Sequence, residues 1–216
     1  MMTYKAILFD LDGTLLDSVQ IILEAAGEVC DAMGLDFDEA DFRKSIGIPL
    51  RVQALRWAGS RAEEFRDRYR AIYRELQEER AVLFPGTAEM LAEIKARGSL
   101  TGVVTSKSTR STLRALEHTG ILAFFDTIVT ADDVVHHKPH PDPILKALES
   151  LGLRSDEALY IGDSMFDVEA AQAAGVEVVG VSWGARSRED LLLQCPNGVF
   201  DTWAGFLSWL DGGPSH

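Results

Sequence analysis

Ala6-Ile7-Leu8-Phe9-Asp10-Leu11-Asp12-Gly13-Thr14 is the stretch from which the fold of this chain can be read. Four apolar residues, followed at once by acidic residues and glycine, read as a buried strand that stops at Asp10. Strand side chains alternate with period two, so Asp10 and Asp12 can point to the same side and share a ligand or a reaction. Asp10, at the strand end, is placed to attack phosphorus as a carboxylate nucleophile, giving an aspartyl-phosphate that water then hydrolyses. Asp12 is then free to protonate a leaving alkoxide and to take a proton from the attacking water. Gly13 lets the backbone turn tightly, and Thr14 offers a hydroxyl to the loop or to phosphate. An ordinary turn uses the same residue types, so the neighbouring segments must decide between the two readings.

Three further segments lie at or just behind short apolar runs: Val104-Thr105-Ser106-Lys107, Lys138-Pro139, and Ile161-Gly162-Asp163-Ser164-Met165-Phe166-Asp167. Open α/β sheets bind ligands in the loops at strand C-termini, which is where all of these residues fall. Thr105 and Ser106 can offer a hydroxyl and a backbone N–H to phosphate, or simply cap the next helix. Lys138, on a loop stiffened by Pro139 and Pro141, can reduce repulsion among carboxylates and stabilise charge on a transferring phosphoryl group, where the alternative is a solvated surface lysine. Asp163 and Asp167 straddle a strand-to-helix junction. With Asp10 and Asp12 they suit Mg²⁺, which prefers oxygen ligands and keeps several waters; helix capping is the competing role for Asp167.

After Gly86 strand and helix patterns alternate. Strands are expected at Leu100 to Val104, Thr127 to Thr130, Ala158 to Ile161 and Glu177 to Val181. Helices are expected at Ala88 to Arg97, Thr109 to His118, Asp142 to Leu151, Met165 to Ala174, Asp190 to Gln194 and Trp203 to Leu210. Repeated αβ units imply a mainly parallel, Rossmann-like sheet flanked by helices. Between Ser18 and Arg80 only helical patterns occur: Ile22, Ala26, Val29 and Met33 recur at helical spacing before Gly34, and Ser60 and Glu63 have capping-box spacing. The organisation expected is an α/β catalytic core of residues 1–16 and 86–216 with an inserted all-helical domain of residues 17–85, entered at Leu15 to Ser18 and left through Phe84-Pro85-Gly86.

With 216 residues, 46% of them hydrophobic, the chain can bury one substantial core. A net charge of −13 disfavours nonspecific binding to nucleic acid or anionic membrane, and an anionic substrate then needs local cations or a divalent metal at its site. Two cysteines without CxxC spacing, and no apolar run near the ~20 residues of a membrane span, point to a reduced cytoplasmic protein.

Asp10-Leu11-Asp12-Gly13-Thr14, the Thr105 strand end, Lys138-Pro139, and Gly162-Asp163-Ser164 with Asp167 resemble the four ordered motifs of the haloacid dehalogenase superfamily, from Ile7 to about Gly184. The resemblance implies Asp10 as nucleophile, Asp12 as acid and base, and phosphate binding by Thr105 and Lys138. It also implies Mg²⁺ held by Asp10, the Asp12 carbonyl and Asp163, with Asp167 supporting the metal at one remove. The helical insertion is similar to the family's C1-type cap. Its Ser45-Ile46-Gly47-Ile48-Pro49-Leu50-Arg51 resembles the specificity loop, where Gly47 and Arg51, or Arg43, would meet substrate, unless the arginines are merely solvated.

Asp12 separates the chain from true dehalogenases, which lack that aspartate, and Gly162-Asp163-Ser164-Met165-Phe166-Asp167 resembles the fourth motif of phosphoglycolate-phosphatase-like members. The function this implies is Mg²⁺-dependent hydrolysis of a small phosphorylated metabolite, phosphoglycolate-like or a sugar phosphate. A sugar phosphomutase using the same phosphoenzyme, or a noncatalytic regulator retaining the fold, are the alternatives; monomer and homodimer are equally open. His136, His137 and His140 lack the cysteines or HExxH spacing of a zinc site, and Trp203, Phe206 and Trp209 read as a buried helix face.

Overall fold

The computed structural model describes residues 4–212. Ala6–Phe9 (β1), all four residues buried, is the central strand. On one side lie Leu100–Val104 (β2) and Thr127–Val129 (β3), on the other Ala158–Gly162 (β4), Glu177–Val181 (β5) and Gly198–Phe200 (β6), giving the order β3-β2-β1-β4-β5-β6 with every pairing parallel. The connections leave β1 in both directions, so β1 marks the switch point where such sheets open a crevice. Register makes that crevice specific. Phe9 lies opposite both Val103 and Ile161, so the residues just beyond, Asp10, Thr105 and Asp163, come out side by side at one edge.

Helices cover both faces, as a parallel sheet with two apolar faces requires. Thr87–Ala96 (α5), Thr109–His118 (α6) and Trp203–Leu210 (α10) pack on the face that presents Ile7, Phe9 and Ile161, while Asp142–Leu151 (α7) and Met165–Ala173 (α8) cover Ala6, Leu8 and Tyr160. Trp203, Phe206 and Trp209 lie in the first of these clusters, as their spacing predicts. Val19–Met33 (α1), Glu39–Arg43 (α2), Leu50–Ala58 (α3) and Ala62–Arg80 (α4) bury a separate apolar cluster that includes Phe42, Phe65 and Tyr69. Gly34 ends α1 in the left-handed conformation, where its N–H and that of Leu35 donate to the carbonyls of Asp31 and Cys30.

The chain passes between these parts through a narrow neck. Phe84 N–H donates to Leu15 O at 3.0 Å and Asp17 N–H to Val82 O at 3.0 Å, an antiparallel bridge centred on Leu16 and Leu83.

Some local expectations are corrected. Ser60 and Glu63 form no capping box: Gly59–Arg61 is a 3-10 turn that runs directly into α4, and Arg61 occupies the N-cap position without a side-chain cap. The helix expected at Asp190 to Gln194 is Arg188–Leu192 (α9), because Ser187 takes the N-cap and accepts from Asp190 N–H. Strand β3 stops at Val129, since Asp133 ties the N–H of Thr130 at 2.8 Å. Strand β6 was unexpected from sequence; three residues are too few for a periodic signal.

Candidate active site

Four charged side chains, all almost fully buried, meet beneath the strand ends: Asp10, Lys138, Asp163 and Asp167. Lys138 Nζ lies 2.8 Å from Asp10 Oδ1 and 2.6 Å from Asp167 Oδ1, and also reaches Tyr160 OH and the Val104 carbonyl. Asp167 Oδ2 accepts from the backbone N–H and hydroxyl of Ser164, closing a capping box at the start of α8. Asp167 therefore takes the capping role weighed for it at the start of α8, and its other oxygen holds Lys138, a contact that spacing in the sequence does not signal. Asp163 Oδ2 accepts from Ala185 N–H at 2.6 Å, and Oδ1 faces the Thr14 hydroxyl at 3.4 Å.

Carboxyl oxygens of Asp10, Asp163 and Asp167 all lie within 4.8 Å of one another. Burial pushes the Asp10 carboxyl up to about 7 despite the pull of Lys138, and burial together with Asp167 and Asp10 drives Asp163 well above the carboxylate range. Burial opposes the charge on Lys138, yet the two aspartates beside it leave its ammonium above the ordinary lysine range. Three buried carboxylates with one lysine are short of positive charge, and their donors are hard oxygens. That is the composition a Mg²⁺ ion fits. A cradle without side chains supports this: a Cβ on Gly184 would stand 2.2 Å from Asp163 Oδ2, and one on Gly13 would stand at the same distance.

Asp12 is placed differently from the expectation that its side chain joins the metal ligands. Its carboxylate turns away from the buried cluster because Lys107 Nζ holds both oxygens at 2.8 Å and Ser18 Oγ donates at 2.7 Å. Lys107 in turn donates to Tyr73 OH of α4 at 2.7 Å and sits over the Tyr73 ring. Thr105 is buried, and its Oγ1 accepts from Lys107 N–H at 3.2 Å. Thr14 lies wholly buried behind Asp163, so its hydroxyl serves that carboxylate and is not on the cavity wall. Ser106 Oγ donates to Gly47 O at 2.7 Å, so its hydroxyl joins the sheet edge to the helical part. Arg51 meets His137 Nε2 at 2.7 Å, while Arg43 pairs with Glu39 on the surface. Above Asp10 and Asp12 lies a cavity of about 210 Å³, closed by Gly47, Arg51 and the Tyr69 and Tyr73 face of α4.

The family profile described as haloacid dehalogenase-like hydrolase matches residues 7–181. The chain belongs to this family. Within it the protein is phosphoglycolate-phosphatase-like: it is 36% identical over 221 residues to a phosphoglycolate phosphatase of Pectobacterium atrosepticum, covering 98% of this chain and 94% of that protein. It is 35% identical to the pyrophosphatase PpaX of Bacillus velezensis over 206 residues, 94% of each chain. A crystal structure described as a predicted phosphoglycolate phosphatase from Haemophilus somnus superposes with a TM-score of 0.88 at 27% identity, covering 97% of this chain and 99% of that one.

The hydrolase carries site residues that the sequence reading passed over. Lys107 closes the Val104-Thr105-Ser106-Lys107 segment, yet a lysine at a helix start carries no mark of its partner, and it drew no role of its own; Tyr73 shares an apolar helix face with Tyr69, and only the fold aims its hydroxyl at Lys107. Gly184 was not passed over: with Trp183, just after the Val178 to Val181 strand, it reads as bordering the pocket or as packing, and it lies against Asp163 and the Gly13 carbonyl. Arg186 donates to the carbonyls of Arg43 and Lys44 and so ties the loop that holds Asp163 to the helical part. His136, His140 and Asp142 do converge at the surface of the hydrolase, while His137 faces Arg51. Among the described residues no helix is long and apolar enough to cross a membrane.

Proposed function

We propose that this protein is a Mg²⁺-dependent phosphatase of the cytoplasm that hydrolyses a small phosphomonoester through an aspartyl-phosphate on Asp10. In this reading residues 17–85 act as a cap over a catalytic core of residues 1–16 and 86–216. The observation that carries it is the position of Asp10: Oδ1 is held by Lys138, while Oδ2 has no hydrogen-bond donor among the described residues and the side chain borders the cavity. A substrate phosphoryl group seated there would meet a carboxylate oriented for in-line attack, with the Lys138 ammonium beside the charge that develops. Asp12 would protonate the departing alkoxide and then take a proton from the hydrolytic water. Since Lys107 and Ser18 now hold its carboxylate, rotation of that side chain precedes its proton work. Asp10, Asp163 and the Asp12 carbonyl would hold the metal, with Asp167 fixing Lys138 and Ser164 behind them. Bound there, Mg²⁺ supplies charge neutralisation between a dianionic phosphoryl group and an anionic nucleophile.

Phosphate release from a panel of phosphoglycolate, sugar phosphates, nucleoside monophosphates and pyrophosphate tests the reading; the pyrophosphatase relative is the reason for the last. Release that stops with EDTA and returns with Mg²⁺ is the expected result, and indifference to EDTA would remove the metal from the mechanism. Gly184→Ala gives a sharper check, because the added Cβ must displace both Asp163 and the Gly13 carbonyl. The Mg²⁺ concentration for half-maximal rate should rise by roughly 10- to 100-fold, the usual cost of disturbing the groups that orient a ligand. An unchanged Mg²⁺ titration would place the ion elsewhere.

A further inference from the structure

The loop that carries Lys138 into the buried cluster has an outer face with chemistry of its own. Among the described residues, two groups of three or more histidine, cysteine or carboxylate side chains bring their ligand atoms within 4.8 Å of one another: the buried aspartates, and His136, His140 and Asp142 at the surface. His137 turns the other way, its Nε2 accepting from Arg51 at 2.7 Å. Asp142 takes its place as the third donor. His136 Nδ1 lies 2.8 Å from Asp142 Oδ2 and His140 Nδ1 3.8 Å from Asp142 Oδ1, and the two imidazole rings stack with centroids 4.7 Å apart. A tetrahedral zinc ion with bonds of about 2.0–2.2 Å sets its donors about 3.3 Å apart, so the observed spacings straddle what one ion needs. Both histidine side chains are more than half exposed, and small rotations suffice to aim their Nδ1 atoms at one point.

The backbone holds these donors together without the ion. His140 N–H donates to His137 O at 2.8 Å, closing the turn that folds His140 back beside His136. Pro139 and Pro141 restrict the chain on either side of His140, and Pro141 leads directly into α7, whose first residue is Asp142. Lys138 anchors the same turn from beneath, through Asp10 and Asp167. The loop thus has a cation on its inner face and metal donors on its outer one. Little conformational freedom is left to lose when an ion binds, and that is how a preorganised site gains affinity. The net charge of −13 adds a general attraction for cations. The donor set also selects among them: imidazole nitrogens suit Zn²⁺, Ni²⁺ and Cu²⁺, whereas Mg²⁺ takes oxygen ligands and keeps its waters.

We infer that His136, His140 and Asp142 form a second metal site, for a divalent transition ion such as Zn²⁺, on the outer face of the Lys138 loop. Three protein ligands leave one position of a tetrahedral ion to water or to an outside ligand. An ion there staples residues on both sides of Lys138, fixing from outside the turn that Asp10 and Asp167 fix from within. None of the three ligands belongs to the buried cluster, so the site stands whether or not the phosphatase reading does.

Calorimetric titration of Zn²⁺ into the full-length protein in excess Mg²⁺ tests the site. One zinc ion per chain is expected, undisplaced by Mg²⁺, and NMR of the imidazole nitrogens should show zinc-induced shifts at His136 and His140. His136→Ala, His140→Ala and Asp142→Ala should each weaken zinc binding by at least the roughly 10- to 100-fold that loss of a supporting partner alone costs a metal site. Asp163→Asn separates the two clusters: it alters the buried one, and zinc should bind as tightly as before. Because the three surface ligands are exposed or half-buried, their variants should unfold at the wild-type temperature when zinc is absent, which keeps a lost ligand apart from a folding defect. Zinc affinity unchanged in the doubly substituted histidine variant, or lost in Asp163→Asn, would overturn the site and assign the ion to the buried carboxylates. Wild-type protein that gives neither binding heat nor ring-nitrogen shifts would overturn it as well.

Discussion

Asp10→Asn is expected to lower the rate of phosphate release by roughly 10⁴-fold or more, the scale seen when a covalent nucleophile is lost. The amide keeps the size of the carboxyl and leaves an oxygen to accept from Lys138 Nζ, now 2.8 Å from Oδ1, so the packing around it should hold. One of three clustered negative charges is also removed, which relieves repulsion with Asp163 and Asp167. Thermal stability should therefore be unchanged or higher while activity disappears. That combination separates a chemical defect from a folding defect. Activity within tenfold of wild type would mean that another group attacks phosphorus.

Lys138→Ala should act through stability as well as chemistry. Lys138 Nζ is the only cation the buried carboxylates touch among the described residues, and its removal leaves Asp10 and Asp167 facing each other without compensation. Breaking a buried pair from one side costs about 3–5 kcal/mol, which for a chain of this size is a fall in melting temperature of roughly 10 °C. Mg²⁺ should recover more stability in the variant than in wild type, because in the variant it becomes the only positive charge at the site. Thermal unfolding with and without the ion measures both effects. An unshifted melting temperature in the absence of metal would show that the carboxylates carry a proton in place of their lysine partner.

Much of this arrangement was legible from residue order, for a physical reason: in a parallel sheet the chemistry sits at strand ends, and strand ends are marked by an apolar run giving way to polar residues. Asp10, Thr105 and Asp163 were found in that way, and the pairing of β1 with β2 and β4 brings them together. Lys138 was found in a loop, by the prolines around it, and the fold buries it. What escaped depended on contacts between distant segments. The direction of the Asp12 carboxylate is decided by Lys107 and Ser18, and that of Lys107 by Tyr73, none of which spacing can reveal. Short elements escaped as well: Gly198–Phe200 has no period to detect.

The neck at Leu15–Asp17 and Val82–Phe84 bears on how such a protein can change over time. Because the two crossings hydrogen-bond to each other, the sheet meets the helical segment as one closed loop whose ends are already joined. The entropy of closing a loop grows only with the logarithm of its length, about 0.6 kcal/mol for each doubling. Helices between those crossings can therefore be lengthened, shortened or exchanged at small cost to the strands that hold Asp10 and Asp163. On the proposed division into cap and catalytic core, selectivity is free to drift on one side of the neck while the reaction stays fixed on the other.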